Sequence, residues 1–177
     1  MAQVEPDEQV GTDREVEAAD VRWLTPQQLQ AWQTLLSTTT SLLAVLDREL
    51  QAEHELSLAE YEVLVVVSER GPEGLRMQDL AGGLRLSPSG ATRRVDGMVR
   101  RGFVARRQCP TDRRGSYVVL TDAGRAKLET AAPTHVRGVR QYFIDRLSER
   151  QLANVANALG LVEIRPEDAA GGCDEAG

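Results

Sequence analysis

The sequence predicts a mainly α-helical protein with one small β-hairpin. Three observations support this class: capping boxes precede three segments, apolar residues recur at helical spacing through much of the chain, and two short strand-like runs flank a polar stretch at residues 108–115. With 177 residues, of which 41% are hydrophobic, the chain has room for one domain of ordinary size.

The composition excludes several classes of protein. The longest apolar runs, Leu42–Leu46 and Val63–Val67, fall far short of the ~20 residues that a membrane span needs. The first residues are acidic and contain no apolar segment typical of a secretory signal. Two cysteines, Cys109 and Cys173, cannot build a disulfide scaffold. We therefore expect a cytoplasmic protein without a membrane partner.

The net charge of −6 comes from the two ends of the chain. Residues 1–22 contain seven acids and two bases, a net charge of −5, and residues 163–177 contain five acids and one base, a net charge of −4. The 18 bases and 15 acids between them give +3. Since neither end shows helical periodicity, we predict disordered tails at 1–22 and 163–177 around a folded domain at 23–162.

A long first helix is predicted at about 26–53. Thr25-Pro26-Gln27-Gln28 forms a capping box with proline at the first helical position, and leucines follow at helical spacing as far as Leu50. The middle of this helix, Ser37–Ser41, is polar. Its hydroxyls either bond back to helix carbonyls or line a ligand cavity.

Three shorter helices and the hairpin follow. Ser57 begins a helix that ends before Gly71-Pro72, and a short helix around Leu80 comes next. Ser87 as N-cap and Pro88 as first residue predict a third helix at 87–101, with Gly102 as its C-cap. The two predicted strands are Phe103–Arg107 and Ser116–Leu120.

Two more helices complete the predicted domain. Thr121 caps a helix that should run to about Leu147, with a kink or break at Pro133. Ser148-Glu149-Arg150-Gln151 is a third capping box and begins the last helix. Two short helices joined by a tight turn and followed by a hairpin predict a winged helix-turn-helix, in which the second helix enters the DNA major groove.

The charge of the central segment agrees with DNA binding. Residues 85–114 hold nine arginines and two aspartates, a net charge of +7, which is typical of a polyanion-binding surface. If Ala91, Val95 and Met98 face inward, helix 87–101 presents small residues that allow close approach and arginines that can fork onto guanine. The predicted recognition residues are Ser87, Ser89, Gly90, Thr92, Arg93 and Arg94.

The wing supplies a second group of predicted contacts. An arginine at the tip of a hairpin can enter the minor groove, and a nearby aspartate can orient it. We predict this role for Asp112, Arg113 and Arg114. Candidate phosphate contacts are Arg76, Arg106 and Arg107.

Residues 112–124, DRRGSYVVLTDAG, resemble the wing signature of the MarR family (multiple-antibiotic-resistance-type regulators). That signature is Asp, any residue, Arg, five residues, Leu-Thr, two residues and Gly. All five specified positions match: Asp112, Arg114, Leu120, Thr121 and Gly124. The upstream stretch LRLSPSGATRRVDGMVRRGFV resembles the family's recognition helix and its approach to the wing, and the whole resemblance covers about 25–162.

This resemblance implies a nucleoid-associated, homodimeric transcriptional repressor that binds a palindromic operator. It implies a DNA-binding lobe at about 57–121 and dimerisation helices at about 26–53 and 122–162. It also implies that a small aromatic or phenolic effector binds between these regions and releases the DNA. An alternative is a winged-helix module that binds protein and no DNA.

Other sites have weaker support in the sequence. Arginines around Cys109 could make its thiol oxidisable, whereas Cys173 lies in a predicted tail. His54 between Glu53 and Glu55 could bind a metal, but zinc needs several converging ligands and His135 is far away in the chain. No catalytic motif is recognisable, so we expect neither an enzyme nor a cofactor.

Overall fold

A computed structural model describes residues 21–84, 88–108 and 116–162. The chain divides into two compact units, Met1–Thr40 and Ser41–Gly177. The helices and strands follow one another as α1 (Pro26–His54), α2 (Leu58–Glu69), β1 (Leu75–Arg76), α3 (Met77–Gly83), α4 (Pro88–Arg100), β2 (Val104–Gln108), β3 (Ser116–Leu120), α5 (Asp122–Tyr142) and α6 (Glu149–Gly160). The mainly helical class and the order of the helices are therefore as predicted.

The described part of the first unit, residues 21–40, contains the first half of α1. The predicted capping box is formed: the Thr25 amide donates to Gln28 Oε1 over 2.9 Å, and the Gln28 amide donates to Thr25 Oγ1 over 3.3 Å. The Ser37 hydroxyl donates back to the carbonyl of Thr34. For Ser37, this bond supports the interpretation that the hydroxyls of the polar stretch bond back to helix carbonyls.

The core lies in the second unit. It gathers buried side chains from the second half of α1, from the helices α2, α3, α4 and α5, and from the sheet. Its largest fully buried members are Leu50, Leu56, Leu64, Leu80, Met98, Val63, Val67, Val95, Val104 and Val118. The helix-turn-helix and the root of the hairpin thus share one apolar core.

The sheet has three antiparallel strands in the order β1-β3-β2, where the sequence predicted two. In the hairpin, Val104 lies opposite Leu120 and Gln108 opposite Ser116, so β2 begins and ends one residue later than predicted. The additional strand β1 pairs Leu75 with Val118. A strand of two residues is too short to show the alternation from which strands are predicted.

Helix α5 differs from its prediction at two points. It continues through Pro133 up to Tyr142, so of the predicted kink or break the break is absent. Proline cannot donate to the carbonyl four residues earlier, but the neighbouring Ala131 and Thr134 are buried, and this packing holds the helix on both sides of Pro133. The helix also ends before Leu147, and a 3₁₀ turn at Ile144–Arg146 follows.

Three more predicted N-caps and one predicted C-cap are confirmed, whereas Ser87, the predicted N-cap of α4, lies outside the described residues. Ser57 and Ser148 form complete capping boxes, and Thr121 Oγ1 accepts a hydrogen bond from the amide of Gly124. Gly102 has a φ of 75°, the left-handed conformation expected of a C-cap. None of the helices in the described ranges has the length and apolar character needed to cross a membrane.

Candidate nucleic-acid interface

The proposed recognition helix α4 packs through one narrow stripe. Ala91, Val95 and Met98 have relative exposures of 1%, 0% and 0%, so the inward face is the one that the sequence predicted. The spacing of these residues, four and then three positions, keeps them on one side of an α-helix. The opposite side of α4 is consequently turned to solvent.

The solvent side carries most of the predicted recognition residues. Ser89, Thr92 and Arg93 are exposed, while Gly90 and Arg94 are half-buried. The turn between α3 and α4, residues 85–87, lies outside the described residues, and Ser87 with it. Five of the six predicted recognition positions therefore lie on the first half of α4.

The wing is described only along its two strands. The predicted contacts Asp112, Arg113 and Arg114 lie outside the described residues, as does Cys109. Strand β2 carries two exposed arginines, Arg106 and Arg107, next to this segment. The strand register places Gln108 opposite Ser116 at the point where the described hairpin ends.

The three candidate phosphate contacts each have a partner within the protein. Arg106 forms an ion pair of 2.8 Å with Asp96 on α4, and Arg107 donates to the backbone carbonyls of Pro72 and Glu73. Arg76 donates from Nε to the Tyr117 hydroxyl over 3.1 Å. These bonds fasten the wing to α4 and to the turn after α2.

A network not predicted from the sequence joins the end of α1 to α5. His54 Nε2 lies 2.8 Å from Thr134 Oγ1, and that hydroxyl donates to Glu53 Oε2 over 2.8 Å. Because the hydroxyl has one proton and gives it to Glu53, Nε2 must be the donor toward Thr134. The bonds from Thr134 and then from Arg137 lower the pKa of Glu53. His54 thus serves as a hydrogen-bond donor in this network, and no metal-binding cluster occurs within the described ranges.

A cavity of about 610 Å³ lies in the second unit, and the sequence did not single out the residues that line it as a ligand site. His135 lies in its wall, and its Nδ1 is buried without a hydrogen-bond partner among the described residues. The sequence contained a signal, since His135 is one of only two histidines, but only folding places it beside the cavity. The other lining residues are Leu43, Tyr61, Glu62, Val65, Val66, Gly83 and Leu84.

The chain is similar to known regulators. The model of the MarR family matches residues 56–116. The structure of AbsC, a MarR family transcriptional regulator from Streptomyces coelicolor, is 36% identical and superposes with a TM-score of 0.76 over 80% of this chain and 95% of AbsC. Sco3205 from the same organism, a MarR family regulator solved in complex with DNA, is 34% identical, with a TM-score of 0.78 over 81% of this chain and 89% of its own.

A curated relative gives a shorter match. It is the uncharacterized HTH-type transcriptional regulator YkoM from Bacillus subtilis (strain 168), 33% identical over 91 residues, or 51% of this chain. The matched region spans 58% of the length of YkoM. Together with the helix-turn-helix, the hairpin and the long similarity to AbsC, these matches show that the chain belongs to the MarR family of winged-helix transcriptional regulators, which are DNA-binding proteins and not enzymes.

Proposed function

We propose that the protein is a homodimeric repressor that reads a palindromic operator with α4. The observation that carries this proposal is the division of α4 into a fully buried stripe and an exposed face with Thr92 and Arg93. An arginine on such a face can donate two hydrogen bonds to O6 and N7 of guanine in the major groove. Small residues at the start of α4 would let the helix backbone approach the groove wall.

The wing contacts remain a proposal from the sequence. Asp112, Arg113 and Arg114 would follow the minor groove beside the half-site that α4 reads. The ion pair of Arg106 with Asp96 supports this arrangement, because it ties the wing strand to α4. Arg76, Arg106 and Arg107 already have intramolecular partners, so we rank them below Arg93 and Arg94 as DNA contacts.

Each unit of the chain supplies an argument for the dimer. The first unit exposes large apolar side chains, with Trp23 at 79% and Trp32 at 52% relative exposure. The second unit exposes Val136 on α5, Leu159 on α6 and the following Leu161. Apolar side chains in this number are rarely left in water, and they lie in the segments predicted to form the dimer. Two copies related by a twofold axis would match a palindrome.

The cavity beside His135 supports the proposed effector. Its wall is mainly apolar, which suits an aromatic ring, and the imidazole of His135 is one of the few polar groups in that wall. Burial lowers the pKa of His135, although the charge of Glu62 acts in the opposite direction. A neutral imidazole has one acceptor nitrogen, which can receive the proton of a phenolic hydroxyl. We therefore propose a small phenol as the effector class.

Selection from a duplex pool with a randomised core tests the operator proposal. We expect the protein to enrich a palindrome whose half-sites lie about one helical turn, ~34–36 Å, apart. On that duplex, Arg93→Ala should weaken binding by about 1–3 kcal/mol for each half-site and relax one base position in each, while binding to random DNA changes little. Arg125→Ala, on the exposed side of α5, serves as the charge-matched control.

Three outcomes would count against the proposal. Failure to enrich a palindrome would refute sequence-specific binding by a dimer. If Arg93→Ala loses equal affinity for selected and random DNA, Arg93 contacts a phosphate and does not read a base. Transcription in vitro from a template carrying the selected site should fall as protein is added and recover with a phenol such as salicylate; increased transcription would refute repression.

A further inference from the structure

The C-terminal end of α1 is held by two cations that share one aromatic ring. Lys127 Nζ donates to the carbonyl of His54 over 3.1 Å, and the Arg101 guanidinium donates to the carbonyl of Glu55. The two cationic groups lie 5.5 Å and 4.8 Å from the centroid of the Phe103 ring. We call Arg101, Phe103 and Lys127 the Phe103 clasp.

The clasp meets α1 at its negative end. The last carbonyls of a helix lack partners within the helix and carry the negative end of its dipole, where cations are favourable. Glu55, directly after α1, has a φ of 51°, which is uncommon for a residue other than glycine. Its carbonyl is thereby turned out of the helical path, and Arg101 binds it. The clasp therefore holds the point at which the chain leaves α1.

The clasp is also fixed to the recognition helix. Arg101 follows the last residue of α4 and forms a 3.0 Å ion pair with Glu60 on α2. The Phe103 amide donates to the carbonyl of Met98 over 3.0 Å, and the Phe103 carbonyl accepts from the Thr121 amide over 3.2 Å. A movement of α4 therefore has to move the Arg101 guanidinium and the Phe103 ring relative to Lys127 on α5.

We propose that the Phe103 clasp sets the position of α4 relative to the C-terminal end of α1, and with it the half-site spacing that the dimer accepts. This inference rests on the proposed function, in which two α4 helices read one operator. A displacement of each α4 by only about 1.7 Å would change their separation by the rise of one base pair, ~3.4 Å. Arg101, although it belongs to the cationic segment, then acts as a positioning residue and not as a phosphate contact.

The spacing preference of the dimer measures this role. The duplex selected by the wild-type protein is compared with versions that carry one base pair more or fewer between the half-sites. We expect Phe103→Leu and the double variant Arg101→Met, Lys127→Met to reduce the ratio of affinities for the selected and altered spacings by about fivefold or more. This is the size of effect that one site in a protein usually has on binding at another. Phe103→Tyr keeps the ring and should keep the preference.

Because the readout is a ratio of two affinities, a loss of folded protein cancels from it. Thermal melting and sedimentation identify variants that are folded and dimeric, and Arg125→Ala controls for the loss of one cation on α5. If Phe103→Leu fails to fold, the double variant decides, since it leaves the ring in place.

The results separate this inference from the proposed function. A folded, dimeric double variant with the wild-type spacing ratio would overturn the clasp while leaving DNA binding intact. A salt dependence of log K that becomes shallower by about 1.8 in Arg101→Met, or about 0.9 for each of the two copies in the dimer, at unchanged spacing ratio, would assign Arg101 to a phosphate and overturn it too. Failure of the wild-type protein to select any palindrome would refute the proposed function, and the clasp proposal with it.

Discussion

The rings of Tyr61 and His135 lie against one another, with their centroids 4.6 Å apart and their planes tilted by 34°. Tyr61 belongs to α2 and His135 to α5, so the contact joins the helix-turn-helix core to the long helix that follows the wing. Burial raises the pKa of Tyr61 and lowers the pKa of His135. Both rings are therefore held in their neutral forms at neutral pH.

The neutral His135 leads us to expect a pH-dependent stability. Its pKa in the folded protein lies below the ordinary value of 6.5, so on acidification the unfolded chain takes up the proton first. The stabilisation is complete above pH 6.5 and is lost as the pH falls through the folded-state pKa. Urea unfolding at pH values between about 7.5 and 5.5 should show a decreasing free energy of unfolding.

His135→Phe should remove much of this pH dependence, since phenylalanine can keep a ring beside Tyr61 without a titrating group. The chain has two histidines, so His54→Gln is a matched control and should retain the dependence. If the pH dependence of the free energy of unfolding disappears in His54→Gln and persists in His135→Phe, it comes from His54, and the prediction is contradicted.

The hydrogen bonds that Thr134 makes to His54 and Glu53 should contribute measurably to the free energy of unfolding. Its side chain is 4% exposed and links His54 to Glu53, so Thr134→Val leaves both partners without this bond. We expect a loss of about 1–3 kcal/mol in the free energy of unfolding, measured by urea titration. Thr130 bonds only the carbonyl three residues before it on the same helix, so Thr130→Val should change stability by less than about 0.5 kcal/mol. Equal losses in the two variants would contradict this role of the bridge.

Local rules account for the parts of the fold that the sequence predicted well. Ser57, Thr121 and Ser148 each satisfy amides within the next three residues, so their caps depend only on neighbouring positions. The stripe on α4 is likewise a matter of helical spacing, and its burial could be predicted before the fold was known. The exposure of the predicted recognition residues on α4 follows from the same spacing, whereas their contact with DNA stays a prediction.

Contacts between distant residues account for what was missed. Thr134 lies 80 positions from His54, and no local pattern indicates that the two side chains meet. Arg101 was counted as one cation among nine in a charged segment, yet its guanidinium binds Glu60 and the carbonyl of Glu55. Of the kink or break predicted at Pro133, the break is absent for the same reason: packing from outside the helix overrides a local preference.

Gly124 is required because the chain passes close to it. A Cβ at this position would lie 1.9 Å from the Phe103 carbonyl oxygen and 2.8 Å from its carbon, both of which are backbone atoms. We expect Gly124→Ala to destabilise the protein by about 1–3 kcal/mol or more, since the backbone has to shift. Gly97→Ala is the matched control, because its Cβ would meet only the end of the Arg100 side chain at 3.8 Å. It should be neutral or stabilise α4 by up to about 1 kcal/mol, and an equal loss in both variants would contradict the steric argument.

Trp32 should be an anchor of the proposed dimer. Its side chain is 52% exposed in the first unit of the single chain. Tryptophan is among the residues most enriched at the energetic centres of protein interfaces. Trp32→Glu should therefore weaken self-association by at least about 2 kcal/mol, or roughly 30-fold in Kd, measured by analytical ultracentrifugation. Gln30→Glu adds the same charge at an exposed polar position of α1 and should leave the Kd within a few-fold of wild type. A wild-type protein that sediments as a monomer at micromolar concentration, or a Trp32→Glu variant that dimerises as strongly as Gln30→Glu, would refute this interface.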